Sequence, residues 1–306
     1  MRTRERAIEP LIDLSEIAEL ELLILKRMRE FTSGEHRSQF RGSGFDFAGL
    51  RDWQPGDRVS AIDWPQSTLT NFSPVVVREF DQPSTARVIA LADASLSTRC
   101  GIDGVPIAAL IARAIATIGL SAVFFQDQFG LITFDEGFRH LSAVRPRTGK
   151  GQVVHCLEAY HQPQDAEELR TGDSLCTTLA GFIRRTSLIA VISDFLFDDA
   201  GEVLNELSLL QTDHDVIIVL IDSAFAFDLP SLSAGWIAAF DVETGRSQVM
   251  SRAQLGRLPA RVRRWQDDVE RMAKAIDFDV VRLEIDQDQS NLALAEFVAE
   301  RRLRRV

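Results

Sequence analysis

Apolar residues along this chain fall into two alternating textures: short unbroken runs and longer stretches with helical spacing. The runs Val88-Ile89-Ala90-Leu91-Ala92, Leu188-Ile189-Ala190-Val191-Ile192 and Val216-Ile217-Ile218-Val219-Leu220-Ile221 are apolar at every position. A strand with one wet face would alternate, so these runs predict strands buried on both faces of a parallel sheet. After the first run, Ile107, Leu110, Ile111, Ala114, Ile115 and Ile118 recur at the spacing of one buried helix face. Similar patterns predict helices near 150–160, 175–185, 201–211 and 258–276, and from about 291 onward. Residues 236–242 and 280–285 read as further strands. Residues 129–135 and 141–144, joined by a Glu136-Gly137 turn, predict a hairpin at a sheet edge. Buried strands alternating with amphipathic helices specify an open, mostly parallel α/β sheet with helices on both faces.

The first third of the chain has a different texture. Residues 13–33 predict a helix, with Asp13 and Glu16 placed to form a capping box. Ile17, Leu20, Ile24, Met28 and Phe31 share one face, and Gly34 is placed to end it. From 35 to 86 there is little helical periodicity. That stretch holds Gly42, Gly44 and Gly49, a Pro55-Gly56-Asp57 turn and the β-rich run Val75-Val76-Val77-Arg78-Glu79-Phe80. The pattern therefore predicts a helical segment 1–34, a small β-rich appendage 35–86, and an α/β domain 87–306.

Charge narrows the function classes. A net charge of −11 repels phosphate backbones, which argues against general nucleic-acid binding. The basic end Arg301-Arg302-Leu303-Arg304-Arg305 fits the last turn of a helix, where cations complement the macrodipole. Cys100, Cys156 and Cys176 are odd in number and lack Cys-x-x-Cys spacing, so neither a disulfide framework nor a zinc site is expected. Their isolation suggests a reducing compartment. The start shows no apolar stretch of signal-peptide length, and 107–125 reads as a core helix instead of a membrane span. The expected location is cytoplasmic.

In open α/β sheets, ligands bind beyond the carboxyl ends of the strands, near the switch in strand order. After the first buried run comes Asp93-Ala94-Ser95-Leu96-Ser97; after the second comes Ser193-Asp194-Phe195. Mg²⁺ takes six hard oxygen ligands in an octahedron and keeps several waters. Two hydroxyls one residue apart can face one ion, with Asp93 reaching it directly or through water and Asp194 adding a second carboxylate. Soft ligands are absent, which disfavours zinc and copper. The alternative for Ser95 and Ser97 is that they cap the following segment.

Asp93-x-Ser95-x-Ser97 after a buried first strand resembles the metal-ion-dependent adhesion site of von Willebrand factor A domains. The stretches Ser33-Gly34-Glu35-His36-Arg37-Ser38, Gly42-Ser43-Gly44-Phe45-Asp46-Phe47 and Arg51-Asp52-Trp53-Gln54-Pro55-Gly56-Asp57, running on to Ala61-Ile62-Asp63-Trp64, add a second resemblance. Together they are similar to the signature of the bacterial "domain of unknown function 58" family, in which such a region precedes an A-type domain. The resemblance implies Mg²⁺, with Mn²⁺ or Ca²⁺ as substitutes, held by Asp93, Ser95, Ser97, Asp194 and a threonine from a second loop. Thr148 is the candidate, with N-capping of the next helix as its other reading. It also implies partners: a MoxR-type AAA+ ATPase, and a client protein that offers Asp or Glu to the ion. Trp53 and Trp64 are expected to anchor the appendage on the main domain, and Arg51, Asp57 and Asp63 to form ion pairs that hold it there.

Other chemistry fits less well. Phosphatases that use an aspartate after the first strand resemble Asp-x-Asp, with a second acid to serve the leaving group. Here that position is Ser95. Thr148-Gly149-Lys150-Gly151 lacks the upstream glycine and the following hydroxyl of a phosphate loop. The expectation is a non-enzymatic interaction module. A Mg²⁺-dependent phosphohydrolase or phosphotransferase using Asp93, or a metal-free scaffold, is the alternative.

Overall fold

A computed structural model describes residues 11–33, 46–55, 62–69, 71–81, 85–102, 104–135, 138, 140–162, 166–169, 174–228, 236–240, 247–285 and 287–304. The chain divides into two compact units, residues 30–85 and residues 1–29 with 86–305. Gly34, the 35–38 and 42–45 stretches, residues 56–61 and the Glu136-Gly137 turn lie outside the described residues.

The opening helix is α1 (Leu14–Ser33). Its capping box forms as the sequence predicts: Asp13 Oδ1 accepts the Glu16 amide at 2.8 Å, and Glu16 accepts the Asp13 amide at 3.0 Å. Ile17, Ile24 and Met28 are buried. Polar side chains of the same helix form ion pairs inside the larger unit: Glu16 with Arg113, Glu21 with Lys150, and Arg27 with Glu296.

In the smaller unit, β1 (Asp46–Asp52) and β2 (Val76–Asp81) pair antiparallel. Between them the chain forms a short helix, α2 (Trp64–Leu69), which hydrophobic periodicity did not reveal. Asp63 caps it, accepting the Gln66 amide at 3.1 Å, and the buried Ser67 hydroxyl accepts the Val76 amide at 2.9 Å. Trp53 and Trp64 are 41% and 53% exposed, and Trp64 packs edge-on against Phe72.

In the larger unit the chain runs through β3 (Arg87–Asp93), a 3₁₀ turn (Leu96–Arg99), β4 (Gly101–Ile102), β5 (Val105–Pro106) and α3 (Ile107–Phe124). Next come β6 (Gln128–Phe134), β7 (Leu141–Arg147), α4 (Lys150–His161), β8 (Glu167–Leu169) and α5 (Leu175–Phe182). They are followed by β9 (Leu188–Ser193), α6 (Ala200–Ser208), β10 (Asp215–Ile221), β11 (Trp236–Phe240) and β12 (Ser247–Ser251). The short α7 (Arg252–Leu255), then α8 (Leu258–Ala275), β13 (Asp279–Leu283) and α9 (Gln287–Arg304) complete it.

The main sheet has the order β13-β10-β9-β3-β6-β7-β8. The five strands from β13 to β6 are parallel; β7 runs antiparallel to β6, and β8 antiparallel to β7. The hairpin forms as expected, but β8 covers its outer side. The strand expected over 236–242 is β11, and it pairs with β12 in a separate two-stranded sheet. This is the mixed α/β architecture read from the apolar runs. Helices α5, α6 and α8 cover one face through Leu179, Leu204, Leu207, Val269 and Ala273.

Helix α3 packs against β3 and β6 and contacts α4 and α9. It is long and apolar enough to cross a membrane, yet most of it is buried inside the fold. Gly119 allows this close packing, because a Cβ there would meet the Phe129 ring at 2.8 Å and Val153 at 3.0 Å. From β3 the chain crosses to β6 on one side and later returns to β9 on the other. The switch in strand order therefore lies between β3 and β9.

Candidate functional site

Register sets the site. Asp93 pairs with Phe134, and Ala92 pairs with Ile192, so the ends of β6, β3 and β9 are level. The residues just beyond them share one edge: Asp135 after β6, the 94–97 loop after β3, and Asp194 after β9. Asp93, Ser95, Ser97, Asp135 and Asp194 line one narrow cleft of about 10 Å³ with Phe134, Leu196 and Phe197. That is space for about one water-sized sphere.

The Asp93 carboxylate is held on both oxygens. Oδ1 accepts the Ser95 hydroxyl at 2.6 Å and the Ser95 amide at 3.0 Å. Oδ2 accepts the Ser193 hydroxyl at 2.6 Å, and Ser193 Oγ in turn accepts the Phe195 amide at 2.9 Å. The Asp93 carbonyl accepts the Tyr160 hydroxyl at 2.8 Å. Burial, reinforced by the neighbouring Asp93 charge, pushes the Tyr160 phenol well above its ordinary value, so it stays a donor. Arg99 lies over the Tyr160 ring and donates to its carbonyl at 3.1 Å.

Ser95 stands at the N-cap of the 3₁₀ turn, yet its side chain makes no capping bond. It turns inward, and its hydroxyl lies 3.2 Å from the Ser97 hydroxyl. Adjacent ligands of an octahedron with bonds of about 2.1 Å are roughly 3.0 Å apart, so the two hydroxyls match one octahedral edge. With carboxylates from two further strand ends, the donor set is hard, oxygen-only and acidic, and it fits Mg²⁺. Among the described residues no group of three or more His, Cys, Asp or Glu side chains is arranged to hold a metal. A site at this cleft would therefore depend on its two hydroxyls.

Asp194 is buried; its Oδ1 accepts the Leu196 amide at 3.3 Å. Helix α8 holds this loop from behind. Gln266 Nε2 donates to the Asp194 carbonyl at 3.2 Å and to the Ile221 carbonyl at 2.8 Å. Trp265 Nε1 donates to the Phe195 carbonyl at 2.7 Å. Phe195 has φ 53°, a left-handed conformation that costs a non-glycine residue free energy and so needs such fixing.

Four of the five expected residues thus converge: Asp93, Ser95, Ser97 and Asp194. Thr148 does not join them. It follows Arg147, which pairs with Phe129 at the far end of the sheet, because β7 runs back from the cleft. Neither does it cap α4, where Gly149 holds the N-cap position. Asp135 was missed, although it follows a buried run just as Asp93 does; its Oδ1 accepts the His140 amide at 2.8 Å. Strand β8 ends at Leu169 opposite Leu141, so the chain returns to the cleft's edge there, after α4 and not before it.

Comparison with known proteins adds the following. The chain is similar to an aerotolerance-related membrane protein from Bacteroides fragilis, with a TM-score of 0.43 and 13% identity over 70% of this chain and 99% of that one. BatB, a conserved hypothetical protein from Bacteroides thetaiotaomicron, gives a TM-score of 0.38 and 14% identity over 72% of this chain and 100% of that one. The pilus adhesin SpaC from Lactobacillus rhamnosus GG gives 0.38 and 10% over 72% of this chain and 30% of that one. No curated protein matches the sequence. Residues 49–267, most of the chain, match the family described as "Protein of unknown function DUF58", and the chain belongs to that family.

Proposed function

We propose that this protein is a von Willebrand factor A-like, metal-dependent protein-interaction module without enzymatic activity. The observation that carries the reading is the pair of inward-facing hydroxyls of Ser95 and Ser97, 3.2 Å apart beside the Asp93 and Asp194 carboxylates. Ser95 and Ser97 would hold Mg²⁺ directly; Asp93, already clasped by Ser95 and Ser193, and Asp194 would supply charge and orient its waters. A bound ion with an open position supplies an electrophilic seat for a carboxylate from a partner protein. The partners are those that the resemblance of the signature implies: a MoxR-type AAA+ ATPase and a client presenting Asp or Glu, with this chain as adaptor in assembly or maturation of complexes.

Mg²⁺ is expected to raise the melting temperature of the wild type and to leave Ser97→Ala unchanged. Asp93→Ala should behave likewise if it folds. Equal shifts in all three would sink the metal assignment. Capture of an ATPase should be lost with chelator; capture that survives chelation removes the ion from the contact. Turnover of a generic phosphate ester that disappears in Asp93→Ala would favour an enzyme instead. A metal-free scaffold is the second reading, because protein donors already engage both Asp93 oxygens. It predicts no Mg²⁺ effect on any variant.

A further inference from the structure

The loop that carries Asp194 also borders a second, larger concavity of about 400 Å³. Asp198, Asp199 and Glu202 line it from the start of α6, and Trp265, Asp268 and Met272 from α8. Its floor is apolar, formed by the Trp265 ring and by Met272, which is 39% exposed. Its rim is acidic, and among the described residues no basic side chain lines it. Asp268 pairs with Arg271, whereas Asp198, Asp199 and Glu202 form no ion pair among the described residues. Asp199 occupies the N-cap position of α6, yet its side chain makes no capping bond.

Acids in a first helical turn complement the macrodipole, and that accounts for part of the charge. It does not account for a cavity of this size floored by a tryptophan and a methionine. A carboxylate entering the groove would meet four others. An apolar side chain would bury the floor but leave the rim carboxylates facing it unpaired. A guanidinium satisfies both surfaces: its methylene stem covers Met272, its plane stacks on the indole, and its N–H groups reach the carboxylates.

We propose that this groove docks an arginine side chain of a partner protein. The groove adjoins the Asp93 cleft through residues 194–199, and Trp265 joins the two, because the ring that floors the groove holds the Phe195 carbonyl at 2.7 Å. A partner segment with a carboxylate at the cleft and an arginine a few residues away would engage both. The groove goes beyond the metal reading and does not depend on it.

The test titrates a capped Gly-Arg-Gly-Arg-Gly peptide into the full chain while the indole N–H resonances of its four tryptophans are followed. The Trp265 signal is identified by its loss in Trp265→Phe. The arginine peptide should shift that signal saturably, equally in Mg²⁺ and in chelator, so a failed metal reading leaves this result standing. A citrulline peptide of the same shape should not shift it. The triple variant Asp198→Asn, Asp199→Asn, Glu202→Gln should bind roughly tenfold more weakly, the sum of three exposed charge contacts. Glu19→Gln, Glu158→Gln, Glu284→Gln, with the same charge change away from the groove, should bind like the wild type. An unmoved Trp265 signal, equal binding of the citrulline peptide, or equal weakening by both triple variants would overturn the proposal.

Discussion

Removing the Ser193 hydroxyl tests the geometry of the cleft most directly. Ser193 is fully buried, and its Oγ both donates to Asp93 Oδ2 at 2.6 Å and accepts the Phe195 amide at 2.9 Å. A hydrogen bond to a charged group contributes about 1.5–3 kcal/mol, and a buried amide left without an acceptor costs about 1–3 kcal/mol. Ser193→Ala loses both, so its expected destabilisation is about 3–5 kcal/mol. In a unit of this size each kcal/mol lowers the melting midpoint by about 2–4 °C, giving a fall of roughly 6–20 °C. Ser95→Ala is the internal comparison. It removes a bond of the same length, but Asp93 Oδ1 keeps the Ser95 amide at 3.0 Å, and no buried amide loses its acceptor. Its expected cost is the charged hydrogen bond alone, about 1.5–3 kcal/mol. Urea midpoints at unchanged slope measure both values. Equal costs for the two variants would refute the claim that Ser193 clasps Asp93 and fixes the left-handed Phe195.

Tyr160 is the single tyrosine of the chain, so tyrosinate absorbance reports it alone. Its folded phenol is raised above the ordinary value of about 10, first by burial and then by Asp93, so stability is full below pH ~10. Above that it falls by up to about 1.4 kcal/mol per pH unit as the unfolded state alone loses the proton. Ionisation should coincide with unfolding in circular dichroism; reversible ionisation near pH ~10 with the fold intact would contradict this. Burial likewise pushes the Cys156 thiol up to about 12, while Cys100 is exposed. A disulfide reagent at mildly alkaline pH should label Cys100 quickly and Cys156 only after unfolding, and fast labelling of Cys156 in the native protein would contradict its placement. Arg302 donates at 2.8 Å to Asp127, whose side chain is 1% exposed and whose other oxygen accepts the Ala86 amide. Arg302→Ala should cost about 3–5 kcal/mol by leaving a buried charge unpaired, and adding Asp127→Asn should recover part of it. Additive losses in that cycle would show that the pair is not coupled.

The apolar runs determined the parallel strands, because a residue surrounded by other apolar groups needs no partner beyond its own sheet and carries that requirement locally. They also located Asp93 and Asp194, since a polar residue closing a buried run stands at a strand end. Which strand ends meet was not a local property. Pairing of β3 with both β6 and β9 put Asp93, Asp135 and Asp194 on one cleft, and it depended on the crossover of α3 and the return to β9. Thr148 shows the same dependence in reverse. It follows the hairpin closely in sequence, but antiparallel β7 carries the chain about five residues back, roughly 17 Å at the rise of a strand.

The basic end gives a further example. As sequence it fitted a helix terminus, yet Arg301 pairs with Asp215 and Asp279, and Arg302 with Asp127, at the start of the strands. Long-range ion pairs leave no periodic trace, because charge acts through space and not along the chain. The sequence by itself thus determined the α/β class, the buried strands and the two loops that line the cleft. Only the tertiary structure decided which oxygens face one another, because that depends on strand order, strand direction and register, none of which a single strand encodes.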